Sequence, residues 1–184
     1  MTVAPPSDFY LRDVLSLARD LIGVRLEGRG ASGVIVETEA YRADDPASHS
    51  FNGLTPRNRS MFGPAGRAYV YRAYGVHLCL NVVGRPGEAV LIRALAPVEG
   101  LDLMAKRRSG RLPLCAGPGR LCESLGVSLD DDGTDFATGP LRLCLTEKTT
   151  GAVLCGPRIG ISRAKELPWR FGLAGAPLSR KIPG

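Results

Sequence analysis

The sequence predicts an α/β (α+β) fold, one compact domain in which a curved, mostly antiparallel β-sheet is flanked by helices. Several segments alternate apolar and polar side chains with the period of two that is typical of strands, and others have helical spacing. At 184 residues the chain is long enough to bury about 70% of its unfolded surface. Because no repeat, low-complexity tract or linker divides the sequence, we expect residues 1–184 to form a single domain.

A helix is predicted near the start of the chain, over residues 7–23. Apolar residues recur there at helical spacing, and Ser7 or Asp8 is a suitable N-cap. Gly23 is a suitable terminator, because glycine adopts the left-handed conformation that commonly ends a helix.

Strands are predicted on both sides of a long polar segment. The alternation indicates strands at residues 24–29, 31–41, 68–71, 76–83 and 89–95. In 31–41, Ile35, Glu37, Glu39 and Tyr41 would share one face. The polar segment, 42–67, contains glycine and proline, and a connection of this length is expected to be structured and functional.

The predicted strand 76–83 has two chemically different faces. One face would carry Val76, Leu78, Leu80 and Val82, and the other His77, Cys79, Asn81 and Val83. This pattern is typical of a strand with one face in the core and the other on a site.

The second half of the chain is predicted to contain two helices and several short strands. The first helix, 96–108, has Pro97 near its start, and the second, 117–126, has Pro118 in its first turn and Gly126 after its end. Short strands and turns are predicted for the segments 139–147, 158–164 and 168–175.

The composition narrows the class of protein. A hydrophobic fraction of 44% and a charged fraction of 23% are ordinary for a globular protein. No apolar run approaches the roughly 20 residues of a membrane helix, and the N-terminal sequence lacks signal-peptide regions, so we expect a cytoplasmic protein without membrane contact. The five cysteines form no C-x-x-C pair, which argues for reduced thiols and against a disulfide framework or a metal site.

The charge indicates a polyanionic partner. The formal net charge is +6, and the basic residues comprise 20 arginines and only 4 lysines. The planar guanidinium group suits phosphate oxygens and also stacks on bases. A high-GC genome that favours arginine codons is an alternative explanation for this excess.

Two carboxylates and an arginine form the first candidate site. Glu37 and Glu39 would lie on one strand face, where two buried carboxylates would repel each other. We therefore expect one of them to be solvated or paired, and the other to lie in a site where it can work as a base. Arg93 lies in an otherwise apolar strand, and a buried arginine needs an anion such as Glu39. The alternative is that all three residues are exposed on strand faces.

Aromatic residues form the second candidate site. Tyr69 and Tyr71 would share a strand face, and Tyr74 follows at a turn marked by Gly75. Tyrosine rings presented on a surface suit base stacking, and a tyrosine at a turn is placed to act as a wedge between base pairs. The alternative is that these tyrosine rings fill the core. His49 lies in the polar loop, where a histidine is either exposed to solvent or functional.

Seven motifs together give a resemblance to a known family. They are VETEAY (36–41), ASHS (47–50), TPRNRSMF (55–62), YVYRAYGVHLCLN (69–81), VLIRAL (90–95), GPGRLC (117–122), and PRIGI followed by PWRF (157–161 and 168–171). In this order the sequence resembles the 3-methyladenine DNA glycosylase family, also called alkyladenine DNA glycosylases, over most of residues 8–172. It looks like a bacterial, catalytic-core version.

The resemblance implies a monomeric enzyme without cofactor or metal that repairs duplex DNA at the bacterial nucleoid. Such an enzyme flips alkylated or deaminated purines, of the 3-methyladenine, hypoxanthine and ethenoadenine class, and hydrolyses the N-glycosidic bond. Since no lysine lies among these motifs, we expect hydrolysis without lyase activity.

The resemblance also implies roles for individual residues. Glu39 would be the general base that activates water, and Arg93 would bind that water and orient the carboxylate. Tyr41, His49 and Tyr71 would sandwich the flipped base, and Asn81 would guard the pocket floor against normal guanine.

Further residues would contact DNA. Tyr74 would enter the minor groove on a β-hairpin and fill the gap left by the nucleotide. Val76, His77, Arg57 and Arg59 are further candidate DNA contacts. Two other readings stay open: a lesion-binding protein that flips bases without cutting, against which the water-activating pair argues, and an unrelated RNA- or nucleotide-binding domain.

Overall fold

The computed structural model describes residues 3–147 and 150–183. In this part, the strands are β1 (Arg25–Gly28), β2 (Ala31–Tyr41), β3 (Ala68–Ala73), β4 (His77–Val83), β5 (Ala89–Glu99), β6 (Leu141–Cys144), β7 (Val153–Gly156) and β8 (Arg170–Leu173). The helices are α1 (Ser7–Tyr10), α2 (Val14–Asp20), α3 (Leu101–Arg107) and α4 (Pro118–Leu125), with 3-10 helices at Pro56–Phe62 and Leu129–Asp131. None of the helices described is long and apolar enough to span a membrane.

The strands form one curled antiparallel sheet, which confirms the predicted fold class. Its order is β3-β4-β5-β2-β1-β6, and every pairing is antiparallel. Two strands share the edge of β2 that faces away from β5: β1 pairs with residues 31–34 and β8 with residues 37–39. Strand β7 pairs with the other edge of β8. Strand β2 therefore lies at the centre of the molecule, where segments from both ends of the chain meet.

The two faces of the sheet have different neighbours. The main core packs α2 and α4 against one face and includes Leu17, Leu21, Leu80, Ile92, Leu121 and Leu125. Each fully buried side chain of this kind stabilises the fold by about 1.5–3 kcal/mol. A smaller cluster of Met61, Tyr69, Val83 and Ala89 packs on the other face.

The strand register aligns one set of side chains across four strands. Tyr69 lies opposite Asn81, Asn81 opposite Leu91, and Leu91 opposite Glu39. Because side chains alternate along a strand, the odd-numbered residues of β3, β4, β5 and the end of β2 share one face. The alternation predicted for residues 76–83 is confirmed, with Leu80 in the main core and Asn81 on the opposite face.

Two of the predicted helices begin or divide at other positions. The predicted helix 7–23 is divided into α1 and α2, because the Asp13 side chain accepts hydrogen bonds from the backbone N–H groups of Leu15 and Ser16 and caps a new helix. The prediction of a helix from residue 96 is wrong at its start: α3 begins at Leu101, because β5 continues to Glu99 and pairs there with the start of β2.

Other expectations are confirmed in part. Helix α4 lies within the predicted 117–126, and the polar segment 42–67 contains a 3-10 helix capped by Thr55. Ile35 packs in the main core rather than beside Glu39, because the pairing of β2 with β5 is irregular between Ile35 and Thr38. Residues 158–164 form bends instead of a strand.

Candidate active site

A cavity of about 740 Å³ opens on the odd-numbered face of the sheet. Its lining includes Tyr41, His49, Tyr69, Tyr71, Asn81 and Arg93. Small-molecule sites in proteins measure about 300–1,000 Å³, so the cavity is large enough for a flat heterocyclic ring. The structure brings the predicted pocket residues together on one concave surface.

Glu39 lies directly behind the cavity wall. Its side chain has no exposed surface, and it is not itself a lining residue. One carboxylate oxygen, Oε2, accepts a hydrogen bond from the Tyr41 hydroxyl at 2.7 Å, while Oε1 accepts one from the Ile159 backbone N–H at 2.7 Å and lies 3.4 Å from the Arg93 guanidinium. All three of these contacting residues line the cavity.

Arg93 bridges the two carboxylates of β2. Its Nε donates to Oε1 of Glu37 at 3.2 Å, and its guanidinium is only slightly exposed. Glu37 is fully buried and also accepts hydrogen bonds from Arg170 at 3.0 Å and from the hydroxyl of Ser179 at 2.8 Å. The predicted pairing of Arg93 with Glu39 is confirmed, and Glu37 is paired as well.

Aromatic and imidazole rings form one side of the cavity. The His49 and Tyr71 rings meet edge to face, with centroids 4.5 Å apart, and Nδ1 of His49 lies 3.0 Å from the Tyr69 hydroxyl. Tyr69 is buried in the smaller core cluster, as predicted by the alternative that this ring fills the core. The side-chain amide of Asn81, which also lines the cavity, donates to the carbonyl of Tyr69 at 3.0 Å, and this hydrogen bond fixes the orientation of the Asn81 side chain.

Burial keeps these rings uncharged. Desolvation, with a smaller contribution from Arg57, lowers the pKa of His49, so its imidazole is neutral near pH 7. Desolvation likewise raises the pKa of Tyr41 and Tyr71, and it raises the pKa of Tyr69 to about 12. The cavity therefore offers neutral hydroxyl groups and ring faces.

The turn between β3 and β4 presents an exposed aromatic side chain. Tyr74 is 84% exposed, and both Tyr74 (φ +51°) and Gly75 (φ +70°) have the left-handed backbone of a tight hairpin turn. Such a conformation is unfavourable for tyrosine. Val76 is also exposed, and His77 packs against Gly119 at the start of α4.

The basic residues near the cavity were predicted only in part. Arg57 is exposed and lines the cavity, whereas Arg59 is exposed but does not line it. Arg72 and Arg163, which sequence reasoning missed, also line it.

Two segments beyond residue 150 contribute hydrogen-bond donors that the sequence does not predict. Ile159 contributes a backbone N–H to Glu39, and Ser179 contributes a hydroxyl and a backbone N–H to Glu37. The PRIGI motif marked the first of these segments, but no side-chain pattern identifies a backbone donor. Among the residues that the structure describes, no three His, Cys, Asp or Glu side chains are grouped as metal ligands.

The fold and the cavity define an α/β protein whose antiparallel sheet carries an aromatic pocket backed by a buried carboxylate–arginine pair. Residues 8–177 match the family described as methylpurine-DNA glycosylase (MPG). The chain belongs to this family of DNA glycosylases.

Curated relatives agree with this assignment. A protein of Agrobacterium fabrum, provisionally named 3-methyladenine DNA glycosylase, is 53% identical over 173 residues, which cover 93% of this chain and 89% of that protein. A protein of Nitrosospira multiformis with the same provisional name is 53% identical, with 98% and 96% covered. A third, from Granulibacter bethesdensis, is 56% identical, with 90% and 82% covered.

Proposed function

We propose that this protein is a monofunctional DNA glycosylase that flips alkylated or deaminated purines out of duplex DNA. The purines are of the 3-methyladenine, hypoxanthine and ethenoadenine class, and the N-glycosidic bond is hydrolysed by a water that Glu39 activates. The observation that supports this most is the contact of the buried Glu39 carboxylate with three groups of the cavity wall. Family membership supplies the reaction class.

The carboxylate has the chemistry that the reaction needs. Departure of a purine leaves an oxocarbenium-like sugar, which a nearby carboxylate stabilises while it takes a proton from the attacking water. A carboxylate oxygen accepts about two hydrogen bonds. Since Ile159 and Arg93 both contact Oε1 and only Tyr41 contacts Oε2, the water is accepted at Oε2.

The wall around Glu39 excludes bulk water. Glu39 has no exposed surface, and the three residues that contact it, Tyr41, Arg93 and Ile159, all line the cavity. The attacking water therefore approaches Glu39 from the side of the cavity that receives the base. Exclusion of bulk water strengthens the attraction between Glu39 and the developing positive charge. Arg93, anchored by Glu37, orients the carboxylate and binds the water.

The ring faces of the cavity select the base. An alkylated purine often carries positive charge, which the faces of Tyr41 and Tyr71 attract by about 0.5–2 kcal/mol. A neutral His49 does not repel such a base, and its lowered pKa is consistent with this role. Asn81 at the floor excludes the 2-amino group of normal guanine.

Duplex DNA is captured around the hairpin turn. Tyr74 enters the minor groove and fills the gap that the extruded nucleotide leaves, as apolar wedges do in other DNA-bending proteins. Val76, His77, Arg57 and Arg59 contact the flanking DNA. The protein acts as a monomer in the cytoplasm, without a cofactor. None of the described residues that line the cavity is a lysine, which supports hydrolysis without a Schiff base and without cleavage of the DNA strand.

A panel of lesion duplexes tests this function. Duplexes with hypoxanthine or ethenoadenine are incubated with excess protein, and free base and strand breaks are measured over a single turnover. We expect release of free base and an intact abasic strand. Binding without release from any duplex would support the lesion-binding alternative instead, and neither binding nor release would contradict both.

A further inference from the structure

A fully buried ion pair joins two segments of the cavity wall. The side chains of Asp45 and Arg158 have no exposed surface, and two guanidinium nitrogens of Arg158 donate to the Asp45 carboxylate, one of them at 3.1 Å. Arg158 also donates to the carbonyl of Ala40 at 3.0 Å. The pair therefore ties the polar segment 42–67 to the end of β2 and to the bends that follow β7.

Arg158 adjoins both residues that donate hydrogen bonds to Glu39, Tyr41 and Ile159. Its guanidinium lies over the rings of both Tyr41 and Trp169, 4.7 Å and 5.0 Å from their centroids. The Tyr41 hydroxyl donates to one oxygen of Glu39, and the backbone N–H of Ile159, the residue after Arg158, donates to the other.

Asp45 also shapes the loop that carries His49. One of its carboxylate oxygens accepts a hydrogen bond from the backbone N–H of Ala47 at 2.9 Å, and its carbonyl accepts one from Ser48 at 2.9 Å. The ion pair is therefore connected to the base-binding side of the cavity as well as to the carboxylate.

We infer that Arg158, held by Asp45, is a positioning residue for the hydrolytic step. It fixes the Tyr41 hydroxyl and the Ile159 amide, and these fix the Glu39 carboxylate with Oε2 free for water. The inference rests on the proposed function. A buried ion pair is a weak source of stability, because the desolvation of both charges offsets their attraction, so a role in geometry explains better why the pair is here.

The test compares Arg158→Lys and Asp45→Asn with a matched control. Lysine keeps the charge but lacks the planar fork that binds both Asp45 and Ala40 and lies over the two aromatic rings. Misplacing a catalytic group by about 1 Å costs about 100-fold in rate, so we expect base release over a single turnover to slow by about that factor while affinity for the lesion duplex changes much less. Arg108→Lys is the control, since Arg108 is also buried and paired with an acid, Glu123.

A double-mutant cycle separates positioning from loss of stability. Tyr41→Phe keeps the stacked ring and removes the hydroxyl that donates to Glu39. If Arg158 acts through Tyr41, the effects of Tyr41→Phe and Arg158→Lys on the rate are less than additive. Fully additive effects, or a control variant that is slowed as much as Arg158→Lys, would overturn the inference.

The outcomes also separate this inference from the proposed function. Base release by the wild type with unchanged rates in Arg158→Lys and Asp45→Asn would overturn the positioning role alone. A wild type that releases no base would overturn both. If Arg158→Lys does not fold, as judged by circular dichroism, Asp45→Asn and the charge-free pair Asp45→Asn/Arg158→Met give the same test.

Discussion

Replacing Glu37 by glutamine should destabilise the fold strongly, although the side chain keeps its shape. Glu37 and Glu39 carry two negative charges in one buried cluster, and Arg93 and Arg170 carry two positive ones, so the cluster is neutral as it stands. Glu37→Gln leaves the cluster with a net charge of +1. It also replaces one acceptor oxygen by an amide NH₂ group, which cannot accept hydrogen bonds from the donors around residue 37. Removing one partner of a buried pair costs about 3–5 kcal/mol.

Thermal unfolding followed by circular dichroism measures this cost. For a domain of about 150–250 residues, 1 kcal/mol corresponds to about 2–4 °C, so the midpoint should fall by about 6–20 °C. Glu99→Gln is the matched control, because Glu99 pairs with Arg25 at the surface and a surface pair contributes less than about 1 kcal/mol. Equal midpoints for Glu37→Gln and the wild type would refute the reasoning that the cluster depends on charge balance.

Three further predictions concern pH, the wedge and salt. Burial lowers the pKa of His49 below the value of about 6.5 in the unfolded chain, so the unfolded state binds the proton first and the free energy of unfolding should fall as the pH decreases below about 6.5. Denaturant titrations at several pH values measure this dependence, and in His49→Asn the free energy of unfolding should depend less on pH. An identical pH dependence in the variant and the wild type would contradict a lowered pKa for His49. Tyr74→Ala should weaken lesion binding by about 1–3 kcal/mol in fluorescence anisotropy without changing the melting temperature, because the side chain is 84% exposed; unchanged affinity would mean that Tyr74 is not the wedge. Lesion affinity should decrease steeply with salt as arginine–phosphate contacts release counterions, and Arg57→Ala should reduce the slope of log K against log salt by about 1; a salt-independent affinity would argue against phosphate contacts.

The sequence predicts the parts of this protein that depend on local alternation. The period of two in β4 places Asn81 on the face opposite the core. An arginine in an apolar strand needs an anion, and this requirement predicts the pairing of Arg93 with Glu39 that the structure has. The exposed turn at Tyr74 follows from the adjacent Gly75, because glycine favours the left-handed conformation that the turn requires.

The parts that depend on distant segments are not predictable in this way. Ile159 and Ser179 both donate through backbone N–H groups in irregular segments, and a backbone N–H carries no signature in the sequence. The hydroxyl of Ser179 also donates to Glu37, but a lone serine in an irregular segment gives no sign of a distant partner. The bounds of helices and strands also depend on capping and pairing interactions that the apolar pattern does not show. Asp13 divides a regular apolar helix pattern by capping a second helix, and pairing with β2 extends β5 past Pro97, where proline was expected to begin a helix.

The most direct test of the account is base release by Glu39→Gln. The wild type and the variant are compared on one ethenoadenine duplex, with base release over a single turnover and affinity for the duplex measured together. A general base contributes about 10²–10⁴-fold to a rate, so we expect affinity to be retained while release slows by at least this factor. Release at the wild-type rate by a folded Glu39→Gln variant would contradict the claim that the buried carboxylate activates the water.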